Sequence, residues 1–155
     1  MKLYISGNSP YSRRARLAAR EGGLTDRVAE VVISSFDELL EHGPGGKIPT
    51  LVTDSGVSLS ESLIITRYFD DLSGGMLMPA EPGERLACLA LESVASTLMD
   101  SLFVRSMEKN QRPEELKSAF VMTRETDRAQ RCYDTLDTMV VNADESVTLA
   151  SIAVI

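Results

Sequence analysis

The pattern of apolar residues changes once along the chain, and that change limits the possible folds more than any other feature. Up to Gly75, short β-type segments alternate with short helical ones; beyond Gly83 the pattern is helical only. Leu3–Ser6 reads as a strand and Tyr11–Glu21 as a helix closed by Gly22-Gly23. Val28–Ile33 reads as a second strand and Phe36–Glu41 as a short helix. Thr50–Thr53 and Val57–Leu59 flank Asp54-Ser55-Gly56, a hairpin signature. Glu61–Leu72 then carries Leu63, Ile64, Tyr68, Phe69 and Leu72 at helical spacing. The order β-α-β-α-β-β-α predicts a four-stranded mixed sheet. Its β-α-β opening supplies a parallel pair, its hairpin an antiparallel edge, and helices cover its faces.

In the second half, Glu84 to about Met107 carries Leu86, Leu89, Leu91, Val94, Leu98, Leu102 and Phe103. That is more than one apolar stripe, so the helix has neighbours on two sides. Asn110-Gln111-Arg112-Pro113 breaks it, with Pro113 suited to a new first turn. From Glu114, Leu116, Phe120, Ala129, Tyr133, Leu136 and Val140 mark a second long helix. A third opens near Thr148 and runs, almost wholly apolar, to Ile155. Such a helix needs cover on every side, so Ile152 to Ile155 are expected to lack it unless further helices or another chain provide it. The expected organisation is an α/β domain over 1–75, a linker over 76–83, and an incomplete all-α domain over 84–155.

Sixteen basic residues against 23 acidic ones leave a net charge of -7, which argues against a nucleic-acid partner. Arg13, Arg16 and Arg20 would share a helix face, and with Arg14 they read as solvated surface. No uninterrupted apolar run approaches the roughly 20 residues that cross a bilayer, and no signal-peptide pattern opens the chain. No membrane partner is expected. Cys88 and Cys132 are far apart in helical stretches and read as reduced, buried thiols of a cytoplasmic protein. With a single histidine, His42, in a Gly/Pro-rich loop, no zinc set can be assembled, and His42 reads as solvated. Gly43 to Gly46 lead into Lys47-Ile48-Pro49, which does not continue as a phosphate-binding loop.

Three local features could carry chemistry. Ser9-Pro10-Tyr11 precedes the Arg-rich helix: Ser9 suits an N-cap and Pro10 a first turn. The same geometry offers a hydroxyl and free N–H groups to an incoming sulfur, which it would hold as thiolate. Lys47-Ile48-Pro49-Thr50 enters the third strand. Only about 5–6% of X–Pro bonds are cis; a cis Pro49 would turn the main chain of Ile48 outward, where an extended peptide could pair with it. Ser60-Glu61-Ser62 opens the next helix, either as an ordinary acidic cap or as a site for the two ends of an amino acid. In the latter, Glu61 would hold the ammonium and Ser62 the carboxylate.

Taken in order, Ser9-Pro10-Tyr11, Gly46-Lys47-Ile48-Pro49-Thr50-Leu51 and Ser60-Glu61-Ser62-Leu63-Ile64-Ile65 resemble the N-terminal domain of glutathione transferases. Met76-Leu77-Met78-Pro79 is similar to that family's linker, and Thr148 to Ala153 to the capping stretch of its central helix. The match looks closest to bacterial members with a serine-type site.

The resemblance implies a thioredoxin-like first domain, glutathione as co-substrate without a metal, and transfer of its thiolate to a small electrophile, as in detoxification. It gives Ser9 the role of hydroxyl donor to the sulfur, and Pro10 and Tyr11 places in the site. Ile48 would pair with the cysteinyl part, positioned by Pro49. Glu61 and Ser62 would bind the γ-glutamyl end, and Lys47 the glycyl carboxylate. It implies a homodimer through the helices Glu61–Leu72 and Glu84–Met107. Neither cysteine stands at position 9, which disfavours thiol–disulfide exchange. Ser151 stands where the family's capping motif usually has Asp, so a weaker or absent reciprocal cap is expected. A non-catalytic binding or regulatory protein, or a fragment of a longer enzyme, are the competing readings, and the electrophile is left open.

Overall fold

The computed structural model describes residues 1–140 and 146–154. The first half follows the predicted order: β1 (Lys2–Ile5), α1 (Pro10–Glu21), β2 (Ala29–Val32), α2 (Phe36–His42), β3 (Thr50–Val52), β4 (Ser58–Ser60) and α3 (Ser62–Leu72). The strands pair in the order β2-β1-β3-β4. β1 runs parallel to β2, with Leu3 opposite Glu30, and antiparallel to β3, with Leu3 opposite Leu51. β4 closes the antiparallel edge, Leu59 opposite Leu51. The mixed, thioredoxin-like sheet is therefore as expected. Leu3 and Leu51, on the two central strands, are fully buried. α1 contributes Ala15, Ala18 and Ala19 to the same core, and α3 contributes Ile65 and Phe69. The small alanines let α1 come close to α3, and that approach later brings a side chain of α1 against the start of α3.

The second half is helical: α4 (Pro82–Gln111), one 3-10 turn at Glu114–Leu116, α5 (Ala119–Val140) and α6 (Leu149–Val154). α4 begins inside the segment expected to be linker. Pro82 occupies its first turn, and the Glu81 carboxylate accepts the Glu84 N–H at 2.8 Å. The second long helix starts at Ala119, not at Glu114. Glu108, near the end of α4, accepts the Ser118 N–H at 2.6 Å, and the Ser118 hydroxyl accepts from Val121. The cap is thus fixed by a carboxylate ten residues upstream. α4 also corrects the reading from uninterrupted runs: by length and composition alone it is apolar enough to cross a membrane. In this fold it packs along α5 and α6 and buries Glu92 in an ion pair with Arg67 of α3.

The two halves share one hydrophobic cluster. Leu77 and Met78, between α3 and α4, are buried within it. The Leu77 N–H donates to Asp70 Oδ1 of α3 at 2.7 Å, and its C=O accepts the Leu149 N–H at 2.9 Å. One residue therefore ties α3 to the first turn of α6.

One expectation about α6 is overturned and another holds only in part. The reciprocal cap is present: Ser151 Oγ accepts the Thr148 N–H at 2.8 Å, and Thr148 Oγ1 accepts the Ser151 N–H at 3.2 Å. A hydroxyl has lone pairs for this bond, and Ser151 sends its own hydrogen to the Thr148 C=O. Of Ile152 to Ile155, expected to lack cover, Ile152 is buried along with Leu149 and Ala150, Ala153 is partly buried and Val154 is exposed as expected; Ile155 lies outside the described residues. His42 is likewise not a solvated loop residue. It ends α2, and its ring stacks on Tyr4 of β1 with centroids 4.1 Å apart.

Candidate functional site

Three segments at one end of the sheet carry the residues singled out from the sequence. At the start of α1, Ser9 is the N-cap and Pro10 occupies the first turn. Ser9 Oγ accepts the Ser12 N–H at 3.1 Å. Capping uses a lone pair, so the Ser9 O–H hydrogen is left over for another acceptor. The structural and the chemical readings of Ser9 are therefore compatible.

Tyr11 differs. Its hydroxyl donates to Asp100 Oδ1 of α4 at 2.7 Å, and its ring meets the edge of Phe103. Burial, and then the Asp100 carboxylate accepting its proton, push the phenol well above its ordinary pKa. Tyr11 is thus a neutral wall whose one hydrogen is already committed. Of the three hydroxyls at the start of α1, Ser12 is buried and accepts from the Ser6 N–H and Tyr11 donates to Asp100, which leaves that of Ser9 for a ligand.

At the entry to β3, Gly46 takes φ +57°, and a Cβ there would come within 2.9 Å of the Phe36 ring. This glycine turns the chain into Lys47-Ile48-Pro49. The Ile48–Pro49 bond is cis, as the outward-turned arrangement requires, and Pro49 is buried. The main chain of Ile48 makes none of the turn, loop or cap hydrogen bonds of the described residues.

At the start of α3, Glu61 is the cap residue with φ 71° and ψ 118°, and it makes no side-chain cap bond. The ordinary acidic cap does not occur. A non-glycine residue in this region costs about 1–3 kcal/mol, and such strain is commonly found where function fixes the main chain. The Glu61 carboxylate faces outward and pairs with Lys47 Nζ at 3.0 Å, both side chains being largely exposed. The family resemblance puts Lys47 and Glu61 at opposite ends of a ligand, yet here they meet. The carboxylate to which the resemblance gives a ligand's ammonium is here paired with the Lys47 ammonium.

Behind Ser62 lies a side chain that the sequence pattern puts on the surface. Arg14 is 3% exposed and reaches from α1 to Ser62 Oγ of α3 at 3.5 Å and to Ser96 Oγ of α4 at 2.8 Å. Burial lowers its pKa, and nearby Glu92 acts in the opposite direction. The other arginines of the run behave as expected: Arg16 and Arg20 pair with Glu30 of β2. One signal could have separated Arg14 from them, its position four residues before Ala18 on the small-residue face of α1.

Comparison with known proteins adds to this geometry. Residues 8–72 match the family model described as glutathione S-transferase, N-terminal domain. The chain is 29% identical to the uncharacterized GST-like protein YibF of Escherichia coli, with 99% of this chain and 78% of that one covered. A glutathione S-transferase from Methylobacillus flagellatus solved with glutathione bound superposes with a TM-score of 0.88, at 29% identity, covering 98% of this chain and 78% of that one. A glutathione transferase family member from Pseudomonas fluorescens with bound glutathione gives 0.89 and 28%, covering 99% and 78%. The first half of the chain carries the glutathione S-transferase N-terminal domain, and the chain as a whole is similar to proteins of that family.

The chain has the glutathione S-transferase fold. The matched model ends at α3 and contains all three segments of the site. Asp100, Phe103, Ser96 and Glu92 lie beyond it on α4, and each reaches back to α1 or α3. The helical half thus packs against α1 and α3, the elements that carry candidate residues of the sheet half.

Proposed function

We propose that this protein binds glutathione along Ile48 and Ser62 and transfers its thiolate to a small electrophile, with Ser9 stabilising the thiolate. The observation that carries the reading is the state of the Ser9 hydroxyl: its oxygen caps α1, while its hydrogen is uncommitted at a helix N-terminus. Tyr11, whose O–H donates to Asp100, cannot play that part.

The tripeptide lies extended, its cysteinyl N–H and C=O facing the main chain of Ile48 beside cis Pro49. Its γ-glutamyl ammonium replaces Lys47 on Glu61, and its α-carboxylate takes the Ser62 hydroxyl and the uncapped N–H groups of α3. Once displaced, the Lys47 side chain is free to swing toward the glycyl carboxylate. The thiol gives its proton to solvent, and the sulfur lone pair attacks the electrophilic carbon. A carbon–sulfur bond forms as the leaving group departs with its electron pair. Proximity and thiolate stabilisation supply the acceleration. An apolar depression beside Pro10, lined by Arg13, Leu98, Met99, Leu102 and Tyr133, is where the electrophile lodges.

Calorimetric titration of glutathione into the folded chain, followed by assay of conjugation with a panel of electrophiles, tests this reading. Saturable one-to-one binding and turnover are expected. Absence of binding by a folded chain refutes it, and binding without turnover on any electrophile leaves a non-catalytic glutathione-binding protein.

The same reading includes a homodimer through α3 and α4. It is supported by apolar side chains that face solvent there: Ile64 is 53% exposed and Leu86 68%, with Leu63 and Leu89 beside them. Sedimentation velocity at micromolar concentration should give twice the monomer mass, and Ile64→Lys should return the monomer. A wild-type monomer under those conditions would exclude the assembly.

A further inference from the structure

The four arginines of α1 differ in what holds them. Arg14 donates to Ser62 and Ser96, and Arg16 and Arg20 pair with Glu30. Arg13 is exposed and, among the described residues, makes no hydrogen bond or ion pair. An unpaired surface arginine is ordinary in itself. This one lines the depression beside Pro10. Pro10 and Arg13 are three residues apart on α1 and so share a face, about 4.5 Å apart along the axis at 1.5 Å per residue.

The depression holds about 220 Å³. A dry cavity of about 150 Å³ accepts benzene, so this space suits one substituted ring. Leu98, Met99 and Leu102 of α4 give it an apolar side, and α6 adds Ile152 and Ala153. Tyr133 of α5 contributes a ring whose hydroxyl has no partner among the described residues either. No acidic side chain lines it among the described residues, although the chain carries a net charge of -7. Apolar walls thus meet one uncommitted guanidinium fork and one uncommitted hydroxyl. A wholly apolar ligand would leave both donors unused, and a cationic one would meet Arg13 with like charge. A carboxylate suits the fork in both charge and shape.

Taking the glutathione reading as given, we propose that the electrophile is a small aromatic carboxylate, its ring against Leu98, Met99 and Leu102 and its carboxylate on Arg13. On that reading the sulfur, held by Ser9, adjoins the Pro10 end of the depression. The carboxylate therefore sits across the ring from the carbon that reacts, a para arrangement. With an aryl chloride, the sulfur lone pair forms the carbon–sulfur bond and the ring holds the negative charge until chloride leaves with its bonding pair. Arg13 takes no part in that step; it determines which ring enters.

The test uses 4-chloro-3,5-dinitrobenzoate and 4-chloro-3,5-dinitrobenzamide, which share ring and leaving group and differ by one charge. Each kcat/KM is divided by the rate constant of the same compound with free glutathione in buffer, which removes the difference in intrinsic reactivity. Wild type should favour the carboxylate about fivefold, the upper end for an ion pair at an exposed rim. The preference should vanish in Arg13→Met and invert in Arg13→Glu, where like charges face each other. Arg13→Lys should keep part of it, because a point charge replaces the fork. Sodium chloride at about 0.5 M should shrink the wild-type preference by screening the pair. No preference in wild type, or the same preference in Arg13→Met, overturns the proposal.

Should wild type bind glutathione yet turn over neither compound, calorimetric titration of the two thioether products decides. Tighter binding of the carboxylate product by about fivefold, lost in Arg13→Met, supports the proposal. Equal affinities overturn it and leave the glutathione reading standing. A folded wild type that binds neither glutathione nor either product overturns the glutathione reading as well.

Discussion

Ser9→Ala is expected to lower kcat about 10²-fold while glutathione affinity changes by less than about threefold, as when a single preorganised donor to a developing anion is removed. The affinity survives because Ile48, Glu61 and Ser62 hold the rest of the tripeptide. The loss falls on kcat because the Ser9 hydrogen stabilises the sulfur only when it is charged. A free thiol has a pKa of roughly 8.5, so at pH 7 it is mostly neutral. In wild type the hydroxyl and the helix N-terminus lower that value, and the rate levels off at correspondingly lower pH. Without the hydroxyl the bound thiol titrates higher, so the pH–rate profile moves toward alkaline pH and the deficit shrinks as pH rises. Tyr11→Phe provides the contrast. Its hydroxyl bonds only to Asp100, so its removal should leave the profile in place. If Ser9→Ala kept full activity and Tyr11→Phe lost it, the assignment would have to be reversed. The cap itself is a separate matter: losing it should cost about 1 kcal/mol of stability, measurable by denaturant unfolding apart from kinetics.

The second large effect is a trade between stability and binding at Glu61. Its φ of 71° strains the main chain, and its pairing with exposed Lys47 contributes about 0–1 kcal/mol in return. Glu61→Gly should remove the strain and raise stability by about 1 kcal/mol, a gain of roughly 2–4 °C in a chain of this size. The same change deletes the carboxylate that receives the ligand's ammonium, so glutathione affinity should fall about tenfold or more. Glu61→Ala separates the two effects, since it loses the carboxylate but keeps a Cβ at a positive φ. Both variants should bind poorly, and only the glycine variant should melt later. A glycine variant that melts earlier than wild type would mean that the unusual φ is not a burden on the fold.

Much of the architecture is legible in the sequence because it depends on local periods. Strand alternation, the Asp54-Ser55-Gly56 turn and the apolar spacing of Glu61–Leu72 each act within a few residues, and the structure follows them. The motif segments are legible for the same reason. What stays hidden depends on distance along the chain. Glu108 sets the start of α5 from another helix, and Asp100 accepts the Tyr11 hydroxyl's hydrogen bond across 89 residues. Arg14 lies in a run of arginines that differ in burial, and beyond its place on the alanine face of α1 it is the packing of α1 against α3 that tells them apart. Ser151 carries no charge, yet its lone pairs close the cap that a carboxylate was expected to make. The backbone of Glu61 gives no sign in composition at all, since glutamate is unremarkable before a helix.

The Lys47–Glu61 pair carries a last implication, for how ionic strength acts on the protein. In the structure these two charges neutralise each other, and on the proposed reading glutathione brings both an ammonium and carboxylates. Binding would then swap one exposed ion pair for others in nearly the same place. Salt weakens the pair that breaks and the pairs that form to a similar degree. Affinity should accordingly vary little between dilute buffer and several hundred millimolar sodium chloride, and Lys47→Met should make it more salt-sensitive, because the empty state would no longer have an internal counter-ion to lose.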